Sequence, residues 1–237
     1  MFISRELLLS SASFFGVELT DEQVDMFDSY AVMLRDYNEK VNLTAITDPD
    51  GIVIKHFADS LALFKYAGIK NGIKIADVGT GAGFPGSALL IADNSLKVTM
   101  FDAVNKKLDF IRFALSELGL SADVAHIRAE DAGRKKEYRE SFDLVTARAV
   151  AQLRVLSEYC VPLVKVGGVF ASMKGEISDE EKQTGLSALN NIGMKIYDTV
   201  SYNIPTGEAR NIFLSKKISH TSPKYPRNTA QISKKPL

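Results

Sequence analysis

The chain reads as an α/β fold: a parallel sheet wound with helices, an N-terminal helical extension and a closing antiparallel hairpin. Three observations predict it. From Ile73 onward, short β-branched runs alternate with stretches of helical period. A glycine-dense turn, Gly79-Thr-Gly-Ala-Gly-Phe-Pro-Gly86, joins the first such run to a helix start. Late in the chain, two strand-like runs flank Pro205-Thr-Gly207, the composition of a hairpin turn.

The elements follow in order. Met1 to Phe15 places Leu7-Leu8-Leu9 beside Arg5 and Glu6. It lacks a small-residue cleavage pattern, and so reads as an amphipathic helix rather than a signal peptide. Thr20-Asp-Glu-Gln23 has the form of a capping box, followed by Val24, Phe27, Tyr30, Ala31, Leu34 and Val41 at helical spacing. A second helix start at Asp48-Pro49 leads into Ile52, Ile54, Phe57, Leu61 and Phe64. Residues 1–68 are thus expected to form a helical cap. The α/β core is expected over 69–218, with strands at Ile73–Val78, Lys97–Phe101, Ala122–Ile127, Phe142–Ala147 and Val169–Met173. Helices fit between them at Pro85–Ile91, Lys106–Leu118 and Gln152–Leu163, and the hairpin pairs Met194–Asn203 with Arg210–Ile218. Five parallel strands closed by an antiparallel hairpin is the arrangement of Rossmann-like methyltransferases. Ser, Pro, Lys and Asn content then marks 219–237 as a basic arm without a core of its own.

Composition narrows the class. Of 237 residues, 46% are hydrophobic, ample for a core, and no apolar stretch approaches a membrane span. Cys160 is the one cysteine, which rules out an intramolecular disulfide or a CxxC metal site and suits a reducing cytoplasm. No metal is expected, and with no heptad pattern a monomer is the default. The net charge of zero is segregated. From Ala209 onward there are seven cations and no acid, so this C-terminal stretch carries +7 and the preceding residues −7. That division suits an arm that meets a polyanion.

The glycine turn carries the function. A strand, a tight turn and a helix start make a site for a ligand lying across the ends of parallel strands. Such glycines serve both dinucleotides and S-adenosylmethionine. Asp77, two residues before Gly79, favours a ligand with a cationic end and would repel a pyrophosphate. Asp102 ends the second strand 19 positions after Gly83 (102 − 83), where an acid accepts hydrogen bonds from ribose hydroxyls; this fits either cofactor.

Further motifs make the chain familiar. Tyr37-Asn-Glu-Lys-Val-Asn-Leu-Thr-Ala-Ile46, His56-Phe-Ala-Asp-Ser-Leu61, the Phe-Pro-Gly ending of the glycine loop, Ala129-Glu130, Thr146-Ala-Arg148-Ala149 and Met173-Lys-Gly175 occur in one order. Together they resemble the bacterial small-subunit rRNA guanine-N7 methyltransferase G family, also called glucose-inhibited division protein B, over almost the whole length. Tyr37 stands where that family usually has tryptophan. The tail opens with Pro223-Lys-Tyr-Pro-Arg227 and ends with Lys234-Lys-Pro-Leu237 as expected, but Asn228 to Ser233 departs from the pattern.

The resemblance implies methyl transfer from S-adenosylmethionine to N7 of one guanine in the 530 loop of 16S rRNA, within the small ribosomal subunit. It implies cofactor contacts from Asp77, Gly79, Gly81, Gly83, Phe84, Asp102, Ala129, Glu130 and Arg148. Arg128, Arg148 and Lys174 fall at strand ends and are the candidates for positioning the substrate. Lys224, Tyr225, Arg227, Lys234 and Lys235 combine a stacking ring with cations, as RNA binding prefers. His56 with Asp59 resembles a catalytic pair, but a histidine on an apolar helix face is better read as a packing residue. A methyltransferase of this fold acting on a protein or small molecule is the alternative. A nicotinamide-dependent oxidoreductase and a ribosome assembly factor with a vestigial pocket are the remaining readings.

Overall fold

A computed structural model describes residues 1–237. The N-terminal region is helical as the capping signals predict. Helix α1 (Arg5–Phe14) is capped by Ser4, whose Oγ accepts from the Leu7 amide at 3.2 Å. Helix α2 (Asp21–Asn38) starts on the expected capping box: Thr20 Oγ1 accepts from the Gln23 amide, and Gln23 Oε1 accepts from the Thr20 amide. The Gln23 amide nitrogen also donates to the carbonyls of Ile91 and Ala92 at 3.2 and 2.8 Å. One side chain therefore caps the start of one helix and the end of another. The next helical stretch runs through α3 (Pro49–Gly51), a π-helical segment (Ile52–Ala58) and α4 (Asp59–Tyr66).

The remaining elements are β1 (Lys74–Val78), α5 (Gly86–Ala92), β2 (Lys97–Asp102), α6 (Asn105–Glu117), β3 (Asp123–His126), α7 (Ala129–Ala132), β4 (Phe142–Arg148) and α8 (Leu153–Cys160), alternating as read from the sequence except that the one-turn α7 is additional. A 3-10 turn (Val161–Leu163) leads to β5 (Val164–Lys174), α9 (Asp179–Asn191), β6 (Met194–Asn203), β7 (Ala209–Lys217) and α10 (Thr229–Lys234). All seven strands form one sheet in the order β3-β2-β1-β4-β5-β7-β6. The first five are parallel; β7 enters antiparallel between β5 and β6. Strand order reverses between β1 and β4, the position where open α/β sheets bind ligands.

Two cores flank the sheet. One joins α1, α2 and the helices over 49–66 to α5 and α6 through Phe27, Tyr30, Leu34, Phe57 and Phe110. The other packs α8 and α9 on the opposite face through Leu153, Leu156, Phe170 and Phe213.

The structure also departs from the sequence reading at β5, α9 and the arm. β5 begins at Val164, ahead of the glycine pair Gly167-Gly168. Helix α9 lies outside the helices the sequence pattern predicts; Ser178 caps it and acids fill its first turn. The arm over 219–237, expected to have no core of its own, is docked along the body. Arg139 donates to the carbonyls of Thr221 and Tyr225 at 2.8 and 2.9 Å, while Tyr225 and Leu237 pack on the second core. Asn228 to Ser233 forms most of α10, started by a capping box between Asn228 and Gln231, and buries Ile232 completely. A polar tail thus borrows a core from the body it docks on.

Candidate active site

β1 ends by delivering Asp77, which is fully buried, to the base of the glycine loop. Its Oδ2 accepts from the Thr80 hydroxyl at 2.6 Å and from the Gly86 amide at 2.9 Å, fastening the two ends of the loop to one carboxylate. Its Oδ1 is buried without a partner. Burial pushes this carboxyl up to about 6, against the opposing pull of the Thr80 and Gly86 hydrogen bonds.

Two glycines of the loop are dictated by geometry. Gly79 has φ +70°, and a Cβ there would lie 2.5 Å from Val150 Cγ2. Gly83 has φ +88° and abuts the Tyr30 hydroxyl, which donates to the Ala82 carbonyl at 2.8 Å and lies 3.1 Å from Ser87 Oγ. Gly81 donates its amide to Asp102 Oδ2 at 3.0 Å, and Val104 donates to Asp102 Oδ1 at 2.8 Å. The acid at the end of β2 is thereby aimed across the loop.

Gly79, Gly81 and Asp102 open onto a cleft of about 290 Å³, whereas Gly83 and the fully buried Asp77 lie behind the loop and do not line it. It brings together Gly79, Gly81, Asp102, Arg128, Ala129 and Glu130 from the sequence-derived set. It also takes in Lys107, Ile127, Val150 and Tyr159, which the sequence reading missed. Lys107 follows Asp102 closely and was findable. Tyr159 was not, because only the packing of α8 beside α7 brings it to the cleft. Phe84 lies behind the loop rather than in this cleft, buried against Tyr30, Phe57 and His56.

A second cleft, of about 350 Å³, opens beside it under the π-helical segment. Arg148 and Lys174 fall here. The Arg148 guanidinium donates to Asp59 Oδ2 at 2.9 Å, to the Lys55 carbonyl at 3.2 Å and to Ser60 Oγ at 3.3 Å, and sits 5.6 Å from the Phe84 ring centroid. Asp59, 2% exposed, also accepts from the Tyr202 hydroxyl at 2.8 Å and pairs with Arg210 at 3.5 Å. Lys174 donates to the Ala151 carbonyl at 2.8 Å and pairs with Glu181 at 2.9 Å. His56 stacks on Phe84 at 4.6 Å, with Nε2 2.9 Å from Thr44 Oγ1. Burial, with Arg148 adding to it, pushes the imidazole down to about 3, so His56 is a neutral packing residue at pH 7. The two clefts share Ala149, a non-glycine residue at φ +56°. Backbone strain of this kind collects at functional sites.

On the arm, Lys224, Lys234 and Lys235 are exposed, and Lys224 lies 4.9 Å over the Tyr225 ring. Arg227 is committed elsewhere: its guanidinium grips the fully buried Glu158 at 2.6 and 2.8 Å.

The first cleft fits S-adenosylmethionine. An unpaired buried carboxylate oxygen beneath the loop suits a cationic amino-acid end, and Asp102 suits a ribose. Helices of the chain are not long and apolar enough to cross a membrane.

Comparison with known proteins agrees. Solved structures with similar folds include an S-adenosylmethionine-dependent methyltransferase from Aquifex aeolicus, 20% identical with TM-score 0.52, covering 71% of this chain and 94% of that one. Another is a variant of the 16S rRNA (adenine(1408)-N(1))-methyltransferase from Catenulisporales acidiphilia. It is 16% identical with TM-score 0.54, over 64% of this chain and 88% of that one. These likenesses show the Rossmann-like methyltransferase fold. Ribosomal RNA small subunit methyltransferase G of Acetivibrio thermocellus is 45% identical over 98% of this chain and 96% of its own length. The protein of the same name from Desulfitobacterium hafniense is 46% identical over 94% and 92%. Residues 23–209 match the family model of rRNA small subunit methyltransferase G, and the chain belongs to that family, whose methyl donor is S-adenosylmethionine.

Proposed function

We propose that this chain transfers the methyl group of S-adenosylmethionine to N7 of a single guanine in the 530 loop of 16S rRNA. The observation that carries the reading is the pair of clefts meeting at Ala149. One holds the glycine loop and Asp102; the other holds a rigid Arg148–Asp59–Tyr202 network. A nucleoside cofactor and a target base can therefore face each other across the end of β4.

When bound, S-adenosylmethionine supplies an electrophilic methyl on a positively charged sulfur. Guanine N7 offers an in-plane lone pair and carries no proton, so the reaction requires no general base. The chain's task is positioning in a dry site. Asp102 would accept the ribose hydroxyls, and Ala129 with Glu130 would read the adenine edge. Arg148, immobilised by Asp59, would orient the base, with Arg128 and Lys174 at the flanks. His56 and Phe84 form a stacked wall behind the junction. Because His56 is neutral, it adds no cation to oppose the positive charge that develops on the guanine ring.

The test is methyl transfer from labelled S-adenosylmethionine to 30S subunits from a strain lacking this gene, followed by identification of the modified nucleoside. N7-methylguanosine at one 530-loop position is expected. Cofactor binding with no transfer to RNA would move the substrate to a protein or small molecule. The absence of both binding and transfer would overturn the reading of the glycine loop.

A further inference from the structure

We infer that the C-terminal arm is a strap that positions the adenine side of the cofactor cleft, so that Thr229 and Glu130 act as one unit in cofactor binding. The inference rests on the cofactor reading of the first cleft. Four contacts carry it. The Thr229 hydroxyl donates to Glu130 Oε1, a carboxylate that is 6% exposed and lines that cleft. Two residues earlier, Arg227 binds Glu158 through its backbone amide and its guanidinium, and Glu158 precedes the cleft residue Tyr159 on α8. Pro226 packs on Gly133 at the end of α7, where a Cβ would stand 3.1 Å from Pro226 Cγ. Ile232, with no exposure, anchors α10 beside α8. The arm therefore contacts both short helices that form this wall.

Chemistry gives the strap a specific effect. Glu130 sits on a one-turn helix and accepts through Oε1 alone. Without the Thr229 hydroxyl its carboxylate regains rotamer freedom, and ordering it again on ligand binding costs free energy. By linkage, whatever tightens the cofactor through Glu130 also tightens the docking of the arm. Arg227 is the wrong residue to remove, because its loss would leave the buried Glu158 charge uncompensated and unfold the region.

The experiment is calorimetric titration of S-adenosylmethionine into the full-length protein, Thr229→Ala and Thr229→Ser. It is paired with thermal melts and with amide exchange of residues 227–235 with and without S-adenosylhomocysteine. The expected result is a Kd raised about fivefold in Thr229→Ala, wild-type affinity in Thr229→Ser, and slower arm exchange when the cleft is filled. Equal affinity in Thr229→Ala and wild type would overturn the strap. Equal weakening in the alanine and serine variants would also overturn it, since the hydroxyl would not be the determinant. Failure of the wild type to bind the cofactor would overturn the reading of the cleft, and the strap with it.

Discussion

Asp77 does at residue scale what the glycine motif does at loop scale. One of its oxygens closes the loop through Thr80 and Gly86; the other is buried and unpaired. Its carboxyl, ordinarily near 3.8, is held at about 6 by burial. Below about pH 6 the ionised form is therefore disfavoured, and a ligand placing a cationic end against the loop would favour it. Cofactor affinity should rise with pH up to about 6, by at most about tenfold per pH unit, and level off above it. Asp77→Asn keeps an acceptor for Thr80 and Gly86 but cannot ionise; titrations at pH 5 to 7 should then show a weak, nearly flat affinity (about pH 5 and about pH 7 being the limits). Gly83 tests packing rather than charge. Gly83→Ala puts a methyl against Tyr30 and Ser87 at φ +88°, and should cost about 2–3 kcal/mol in denaturant unfolding.

At the scale of elements, one carboxylate ties three of them together. Glu140 pairs with Lys217 at 2.7 Å and His220 at 2.6 Å, and accepts from the Thr221 amide at 2.8 Å. The Lys217 ammonium, at the end of β7, also donates to the carbonyls of Val161 and Val164. Desolvation alone would raise the Glu140 carboxyl, but the hydrogen bonds from Lys217, His220 and Thr221 win and hold it at about 2. Its contribution to stability is complete above 4.5, the ordinary value, and is lost as pH falls towards 2. Glu140→Gln should lower stability by about 3 kcal/mol at pH 7 and shed that share of the acid dependence, as measured by urea unfolding across pH. Such ties explain what the sequence could disclose. The strands, the hairpin and the α2 cap are local patterns, and Gly79, Gly81, Asp102 and Glu130 followed from them into one cleft. The Arg148–Asp59–Tyr202 network joins residues 89 and 143 positions apart, and no local period announces it. Helix α10 is not legible in the sequence because its capping box lies in a tail whose composition reads as solvated.

At the scale of the whole molecule, charge and architecture must be separated. The chain is neutral overall, yet seven cations and no acids follow Ala209. Lys216 is exposed on β7, and the other six fall into two groups of three. Lys217 and Arg227 are consumed by Glu140 and Glu158, and Arg210 by Asp59 and Glu208. Lys224, Lys234 and Lys235 stay exposed on an arm that is itself fixed to the wall of the first cleft. A docked arm presents cations at a defined place, so they can add to RNA affinity without the ordering cost of a disordered tail. Replacing these three lysines with alanine should weaken binding of the rRNA substrate. It should also reduce the slope of log K against log salt by about 2, since each lost phosphate contact removes about 0.7. Cofactor affinity should not move, because none of the three faces the cleft. An unchanged salt slope in a filter-binding titration would mean that RNA is held by the body alone. The excess of cations would then be a feature of the arm's solubility, and its remaining role would be the strap.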